Sequence, residues 1–196
     1  MNKNLRLICG KKIESPKSSN ARPTTMMVRE AIFNILKKEV ANSYWLDLFS
    51  GSGSIACEAF NHGAKKIVAI EKDKINARIC KNNLFSLNNA NHRESDIEVI
   101  CKDVFNWIKS TKNFSNYSKI IDFKKDKFDF IYLDPPYKKE FQNILLEEIF
   151  NSNLIKNNTL VIYEHSKLSN IKDSSLWKLK DIRSYGQTKV SFLIKI

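Results

Sequence analysis

The stretch Phe128 to Tyr137, FDFIYLDPPY, decides the fold and ends in a small chemical device. Phe128, Phe130 and Tyr132 alternate with Ile131 and Leu133, and Asp129 precedes the hydrophobic run, which predicts a buried strand of a parallel sheet. Asp134-Pro135-Pro136-Tyr137 ends it, because neither proline donates to a ladder and each turns the residue before it away from helix. The chain must leave the sheet in a stiff, extended turn at the strand's carboxyl end, where open α/β sheets hold their ligands. There Asp134 offers carboxylate acceptors, Pro135 a carbonyl held in direction by the next ring, and Tyr137 a flat face. A planar base stacked on Tyr137 could give both hydrogens of an exocyclic amine to Asp134 and the Pro135 carbonyl. That would push the nitrogen lone pair toward an electrophile. A bare Asp-Pro-Pro also serves as an ordinary strand exit, so a second motif is needed.

Tyr44 to Phe60, YWLDLFSGSGSIACEAF, supplies it. A short strand, Trp45 to Phe49, runs into Gly51-Ser52-Gly53-Ser54-Ile55-Ala56 and then a helix from about Ile55 to Asn61. This is a G-x-G-x-x-A loop between strand and helix, the setting in which glycines let backbone pass close to a bound nucleoside. Asp47 lies inside that strand, and a second strand, Ile67 to Ile70, ends in Glu71. That is the expected distance of about 20 residues for a ribose-binding acid. A dinucleotide needs the helix amides for its pyrophosphate, whereas S-adenosylmethionine has no phosphate and carries a sulfonium and an α-ammonium. Asp47 suits the cationic ligand and Glu71 suits either ribose. The Asp134 turn chooses, since methyl transfer to a base amine requires it and hydride transfer does not.

The 196 residues predict one domain, 1–196, with residues 1–40 as a hairpin and helix on the substrate side and 41–196 as the Rossmann-like core. No apolar run is long enough to span a bilayer and the N-terminus has no signal-peptide core, which predicts a cytoplasmic location. Cys9, Cys57, Cys80 and Cys101 fall in no metal-like spacing, so reduced packing residues and no metal site are expected. A net charge of +12, from 33 basic and 21 acidic side chains, favours a polyanionic partner. Diffuse Lys and Asn usage gives the same charge without a binding face, so the basic residues count only if they share a face with the Asp134 turn.

From the N-terminus, Leu5 to Ile13 reads as two short strands about Gly10, and Thr24-Thr25 caps a helix from Met26 to Lys38. Its apolar face is expected from Met27, Ala31 and Ile35 with Val28, Ile32, Phe33 and Leu36, while Arg29 and Glu30 near its start would ordinarily be solvated. Asp73 to Leu87 is a helix, Ile97 to Cys101 a strand, and Asp103 either accepts from an adenine amine or caps the helix Val104 to Lys109. Ser110 to Lys127 has no convincing period and reads as a basic excursion whose Phe114, Tyr117 and Phe123 either stack on bases or pack on the body. Glu140 to Phe150 is an amphipathic helix and Thr159 to Glu164 a strand. Leu176 to Tyr185 and Gln187 to Ile196 form a hairpin about Gly186 that ends the sheet. His165 could be a base, although loop histidines are mostly incidental.

The blocks RPTTMMVREAIFNIL, LDLFSGSGSIACEAF, AIEKD, DFIYLDPPY and YGQTKVSFL together resemble the bacterial RsmD family of 16S rRNA (guanine-N2)-methyltransferases across nearly the whole chain. The glycine loop and Asp134 turn alone would indicate only amino-methyltransferases; the RPTT...VRE block narrows the match. The resemblance implies an α/β fold of the class I methyltransferases, a mostly parallel sheet with an antiparallel end, and S-adenosylmethionine as cofactor. It implies that Asp47, Phe49, Gly51 and Gly53 line the methionine and adenosine side, that Glu71 holds the ribose hydroxyls and that Asp103 meets the adenine. Asp134, Pro135, Pro136 and Tyr137 would hold a flipped guanine as the catalytic turn, with Arg22, Thr24, Arg29 and Tyr137 at the substrate edge. The implied partner of this monomeric enzyme is 16S rRNA, free or within an assembling small subunit, and no membrane. The tract Ser110 to Lys127 departs from the family pattern. A DNA adenine-amine methyltransferase, a NAD-dependent dehydrogenase and a non-catalytic RNA-binding module remain as rival readings of the residues themselves.

Overall fold

A computed structural model describes residues 5–16, 24–91, 95–112, 119–122, 124–136, 141–169 and 171–196. A two-stranded hairpin, β1 (Leu5–Arg6) and β2 (Lys12–Ile13), turns on Gly10. It precedes helix α1 (Met26–Leu36), which Thr25 caps by accepting the Val28 amide. Then follow β3 (Tyr44–Leu48), α2 (Ser54–Asn61), β4 (Lys66–Glu71), α3 (Lys74–Asn91), β5 (Asp96–Cys101) and α4 (Val104–Lys112). The second half runs through β6 (Phe128–Leu133), α5 (Phe141–Phe150), β7 (Ile155–Ser166), β8 (Trp177–Tyr185) and β9 (Thr188–Lys195).

The seven long strands form one sheet in the order β5-β4-β3-β6-β7-β9-β8. β5, β4, β3, β6 and β7 are mutually parallel, and β9 inserts antiparallel between β7 and β8. This is the α/β class I arrangement expected, with one refinement: the last strand of the terminal hairpin lies inside the sheet and the earlier strand takes the edge. Burial explains it. Val190, Phe192 and Leu193 of β9 are buried, whereas β8 exposes Lys178, Lys180 and Arg183, charges that suit an unpaired edge.

Strand alternation divides the core between two faces. Trp45, Ile67, Ala69, Phe130, Tyr132, Ile162 and Phe192 pack beneath α1, α2 and α3 through residues such as Ile32, Phe33, Phe60 and Leu84. Leu46, Leu48, Val68, Ile131, Leu133, Val161 and Leu193 face α4 and α5 through Trp107, Ile108, Leu145 and Ile149. Each such aliphatic side chain contributes roughly 1.5–3 kcal/mol by leaving water. The buried stripe of α1 is Val28, Arg29, Ile32, Phe33 and Leu36, while Met27 and Ile35 point outward, so the wider apolar face expected there is corrected. Likewise Ile75 is exposed and α3 buries Ile79, Cys80, Asn83, Leu84 and Leu87.

β3 connects onward to β4 on one side and has β6 on its other, so the sheet order reverses between β3 and β6. Ligands in open α/β sheets collect at such a reversal, beyond the strands' carboxyl ends. Both sequence motifs leave the sheet there.

Candidate active site

The glycine bend begins where β3 stops. Phe49, Gly51 and Gly53 have φ of 66°, 54° and 77°, so alternate residues are left-handed and the chain coils tightly before α2. A phenylalanine tolerates that region poorly, and the bend is held by outside contacts. The Ser50 amide donates to the Ile70 carbonyl at 3.0 Å, and the Gly53 amide to the Ser50 carbonyl at 2.7 Å. The Gly51 amide donates to Glu71 Oε2 at 2.8 Å while the Asp73 amide donates to Oε1 at 2.8 Å. Asn83 adds a tie that no sequence motif announced: its Nδ2 donates to the Ser52 carbonyl at 2.9 Å, and its amide group exchanges bonds with the backbone of Glu14.

The two glycines do different work. A Cβ on Gly53 would stand 2.5 Å from Cys80 Sγ, so this glycine lets α3 approach the bend. A Cβ on Gly51 would meet nothing within 4 Å among the described residues, which leaves open space over the bend for a ligand.

Asp47, on the strand that leads into the bend, is 1% exposed. Its Oδ2 accepts the Ala56 amide at 3.1 Å, and Oδ1 is buried without a partner among the described residues. Burial pushes its pKa up to about 8, the Ala56 amide opposing and the charge on Glu71 adding to the rise. A buried carboxylate with an orphaned oxygen calls for a cation or a strong donor. Glu71 keeps acceptor capacity on both oxygens beyond its two amide bonds, as a vicinal diol requires. Asp103 caps α4 by accepting the Asn106 amide at 3.1 Å, which is the capping reading of that residue; it stands after β5, on the same rim.

Across the reversal, β3 and β6 pair in register, Asp47 with Tyr132 and Leu48 with Leu133, so the glycine bend and Asp134-Pro135-Pro136 rise side by side. Asp134 is half-buried, Pro135 buried and Pro136 exposed. Burial, then the neighbouring Glu164, then Asp47 hold the Asp134 carboxyl well above the usual carboxylate range. Tyr132 donates its hydroxyl to Glu164 Oε2, and the same hydroxyl lies 3.1 Å from Thr24 Oγ1. Glu164, two residues before the end of β7, a strand longer at both ends than the expected Thr159 to Glu164, thus joins Asp134 as a second acid at the acceptor end. Its pKa is raised by burial, with the Tyr132 and Thr24 hydroxyls opposing.

Several expected placements change. Arg29 does not reach a substrate edge: it is 0% exposed, one guanidinium nitrogen donates to the Arg6 carbonyl, and Nε lies 3.7 Å from the buried Glu58, which itself accepts the Ile8 amide. This guanidinium, one turn into α1 and facing the hairpin, fastens β1 to α1 and α2. Thr24 is buried and reaches the site through Tyr132. Arg22, Tyr137, Phe114, Tyr117 and Phe123 lie outside the described residues. The described end of the lysine tract sits at the opposite, amino edge of the sheet. There Lys66, the first residue of β4, donates to the Ile120 carbonyl at 2.9 Å and to Asp126 at 3.0 Å. His165 is a buried packing residue whose ring nitrogens meet the Ser166 carbonyl and Ser191 Oγ, and burial lowers its pKa.

The family described as conserved hypothetical protein 95 matches residues 6–194. Ribosomal RNA small subunit methyltransferase D of Buchnera aphidicola subsp. Acyrthosiphon pisum is 31% identical over 170 residues, which cover 87% of this chain and 80% of that one. The chain belongs to the RsmD family. A solved Escherichia coli structure assigned to a methyltransferase superposes with a TM-score of 0.79 at 21% identity, over 98% of both chains. An RNA methyltransferase from Salinibacter ruber, solved with S-adenosyl-L-homocysteine, shares the fold at a TM-score of 0.57 and 18% identity, over 89% of this chain and 94% of that one. The RsmD match runs from the β1 hairpin to β9, so the hairpin fastened by Arg29 and the inserted final strand both lie within the family's span.

Proposed function

We propose that this chain transfers a methyl group from S-adenosylmethionine to the exocyclic N2 amine of a guanine in 16S rRNA. The observation that carries the reading is the register of β3 with β6, which puts Asp47, whose Oδ1 is buried without a partner among the described residues, beside the Asp134-Pro135 turn. The Buchnera aphidicola relative's name supports an rRNA acceptor, and the Salinibacter ruber structure with its bound S-adenosyl-L-homocysteine supports the cofactor class. When bound, S-adenosylmethionine supplies a methyl group activated by a sulfonium sulfur. Asp47 holds the α-ammonium, Glu71 accepts from the ribose hydroxyls, Asp103 accepts from the adenine amine, and Gly51 leaves room for the nucleoside. The residues present fit that ligand, since the orphaned Asp47 oxygen asks for the cation the ligand carries.

On the acceptor side, Asp134 and the Pro135 carbonyl accept from N2 and fix its lone pair toward the methyl, with Tyr137 stacking on the base. Leaving an RNA stack costs a few kcal/mol, least in a loop, and the turn's rigidity supplies the positioning. Preorganised acceptors around the amine stabilise the positive charge that grows on nitrogen in the transition state. The proton lost from N2 afterwards goes to Asp134 or to water. The enzyme acts as a cytoplasmic monomer on rRNA, free or in an assembling subunit. Labelled methyl transfer to 16S rRNA, small subunits and DNA, followed by nucleoside mass analysis, tests this. N2-methylguanosine from the ribosomal substrates is expected; N6-methyladenine in DNA with unmethylated rRNA would replace the reading.

A further inference from the structure

Guanine and adenine differ along the edge that carries the amine. Guanine presents N1–H beside its N2 hydrogens, whereas adenine presents a lone pair at N1 beside its N6 hydrogens. A hollow lined only by acceptors therefore separates them, because adenine would bring its lone pair against another one. The acceptor end of this site brings two carboxyl groups together, Asp134 and Glu164. β6 and β7 run parallel with Tyr132 opposite Ile162 and Leu133 opposite Tyr163, so Asp134, the first residue after β6, and Glu164 of β7 follow one pair further on, on the side of Tyr132 and Ile162. Adjacent strands are about 4.8 Å apart, a spacing that suits two carboxylates gripping neighbouring donors of one base.

We infer that Glu164 reads the N1–H of the acceptor guanine while Asp134 takes the amine, so that the pair selects guanine over adenine. The inference rests on the methyltransferase reading above and adds the residue that sets base identity. Glu164 is 5% exposed and its orientation is fixed, because Tyr132 donates to Oε2 from the adjoining strand and Thr24 abuts the same hydroxyl at 3.1 Å. Tyr132 and Thr24 are the positioning residues; they give β7 and the segment leading into the first helix a shared task in substrate choice. Burial first, and then the neighbouring Glu164, raise the Asp134 pKa, which places the two carboxyl groups within electrostatic reach of each other. Such a pair is suited to the donor-rich edge of guanine.

The test uses the full chain and small subunits reconstituted from 16S rRNA in which the mapped target guanine is replaced by 2,6-diaminopurine. That base keeps the 2-amine and has a lone pair at N1. Wild-type protein should methylate guanine at least ~100-fold faster than diaminopurine, the discrimination expected of a site built to bond an N–H. Glu164→Gln, which offers a donor to N1, should lower the guanine rate and bring the ratio to within about tenfold, with S-adenosylhomocysteine affinity unchanged. Tyr132→Phe should lower the guanine rate by about tenfold through kcat, again without moving cofactor affinity. Equal wild-type rates on the two bases, or a Glu164→Gln protein that binds cofactor and keeps the full ratio, overturn the inference. If wild-type protein makes no N2-methylguanosine at all, the methyltransferase reading itself has failed, and the inference falls with it.

Discussion

Glu71 bridges two backbones: its Oε2 accepts the Gly51 amide at 2.8 Å and its Oε1 the Asp73 amide at 2.8 Å, tying the glycine bend after β3 to the start of α3. Removing the carboxylate leaves both amides without that acceptor and takes away the proposed ribose contact. Glu71→Ala should therefore weaken S-adenosylhomocysteine binding by ~10- to 100-fold in calorimetry, the effect of one or two lost bonds to a charged group. Unchanged affinity would remove Glu71 from the cofactor site.

Binding should depend on pH if, as proposed, the cofactor's ammonium is held by Asp47. Its pKa rises to about 8 in the folded chain against about 3.9 in an unfolded one. The folded state therefore binds the extra proton between these values, and this stabilising contribution is complete below about pH 4 and lost as pH climbs through about 8. An ammonium-bearing ligand needs the ionised form, so S-adenosylhomocysteine affinity should strengthen from pH 6 to 8 and level off above. Asp47→Asn should bind weakly and with a flat profile over that range, measured by titration calorimetry in matched buffers.

The two glycines of the bend should respond differently to alanine. At Gly53 the added methyl meets Cys80 Sγ at 2.5 Å and the φ of 77° is unfavourable, so thermal unfolding should register a loss of about 2–4 kcal/mol. At Gly51 the methyl enters open space, leaving only the backbone cost of about 1–2 kcal/mol. There the larger effect should be on cofactor affinity. Equal losses of stability with no affinity difference would show that the space over Gly51 is not a ligand site.

The Arg29–Glu58 pair is wholly buried, with no exposed surface on either residue. Removing one partner strands the other's charge, so Arg29→Ala should cost about 3–5 kcal/mol in chemical denaturation, whereas the double change Arg29→Met with Glu58→Leu should cost far less. An Arg29→Ala protein of native stability with impaired rRNA binding would return Arg29 to the substrate edge.

The parallel sheet and both motifs were legible because alternation, glycines and prolines act locally. Phe130, Tyr132, Ile131 and Leu133 face opposite layers as their spacing requires, and Asp47 and Asp134 emerge from adjoining strands. What stayed hidden depends on contacts between residues distant in sequence. Arg29 looks like a surface residue of an amphipathic helix until Glu58, 29 residues later, comes to face it. Glu164 reads as the last residue of a strand, and its orientation comes from the Tyr132 hydroxyl, which Thr24 meets in turn. The lysine tract adds charge to the composition, yet Lys66 and Asp126 hold its described end at the far edge of the sheet, away from the Asp134 turn.

The central claim is that Asp134 works on the acceptor amine and has no part in holding the cofactor. Single-turnover methyl transfer by Asp134→Ala, with S-adenosylhomocysteine affinity measured on the same preparation, tests it most directly. The account predicts a rate lowered by at least ~100-fold with affinity within about twofold of wild type. A variant that turns over at the wild-type rate, or one that loses cofactor binding along with activity, would contradict it.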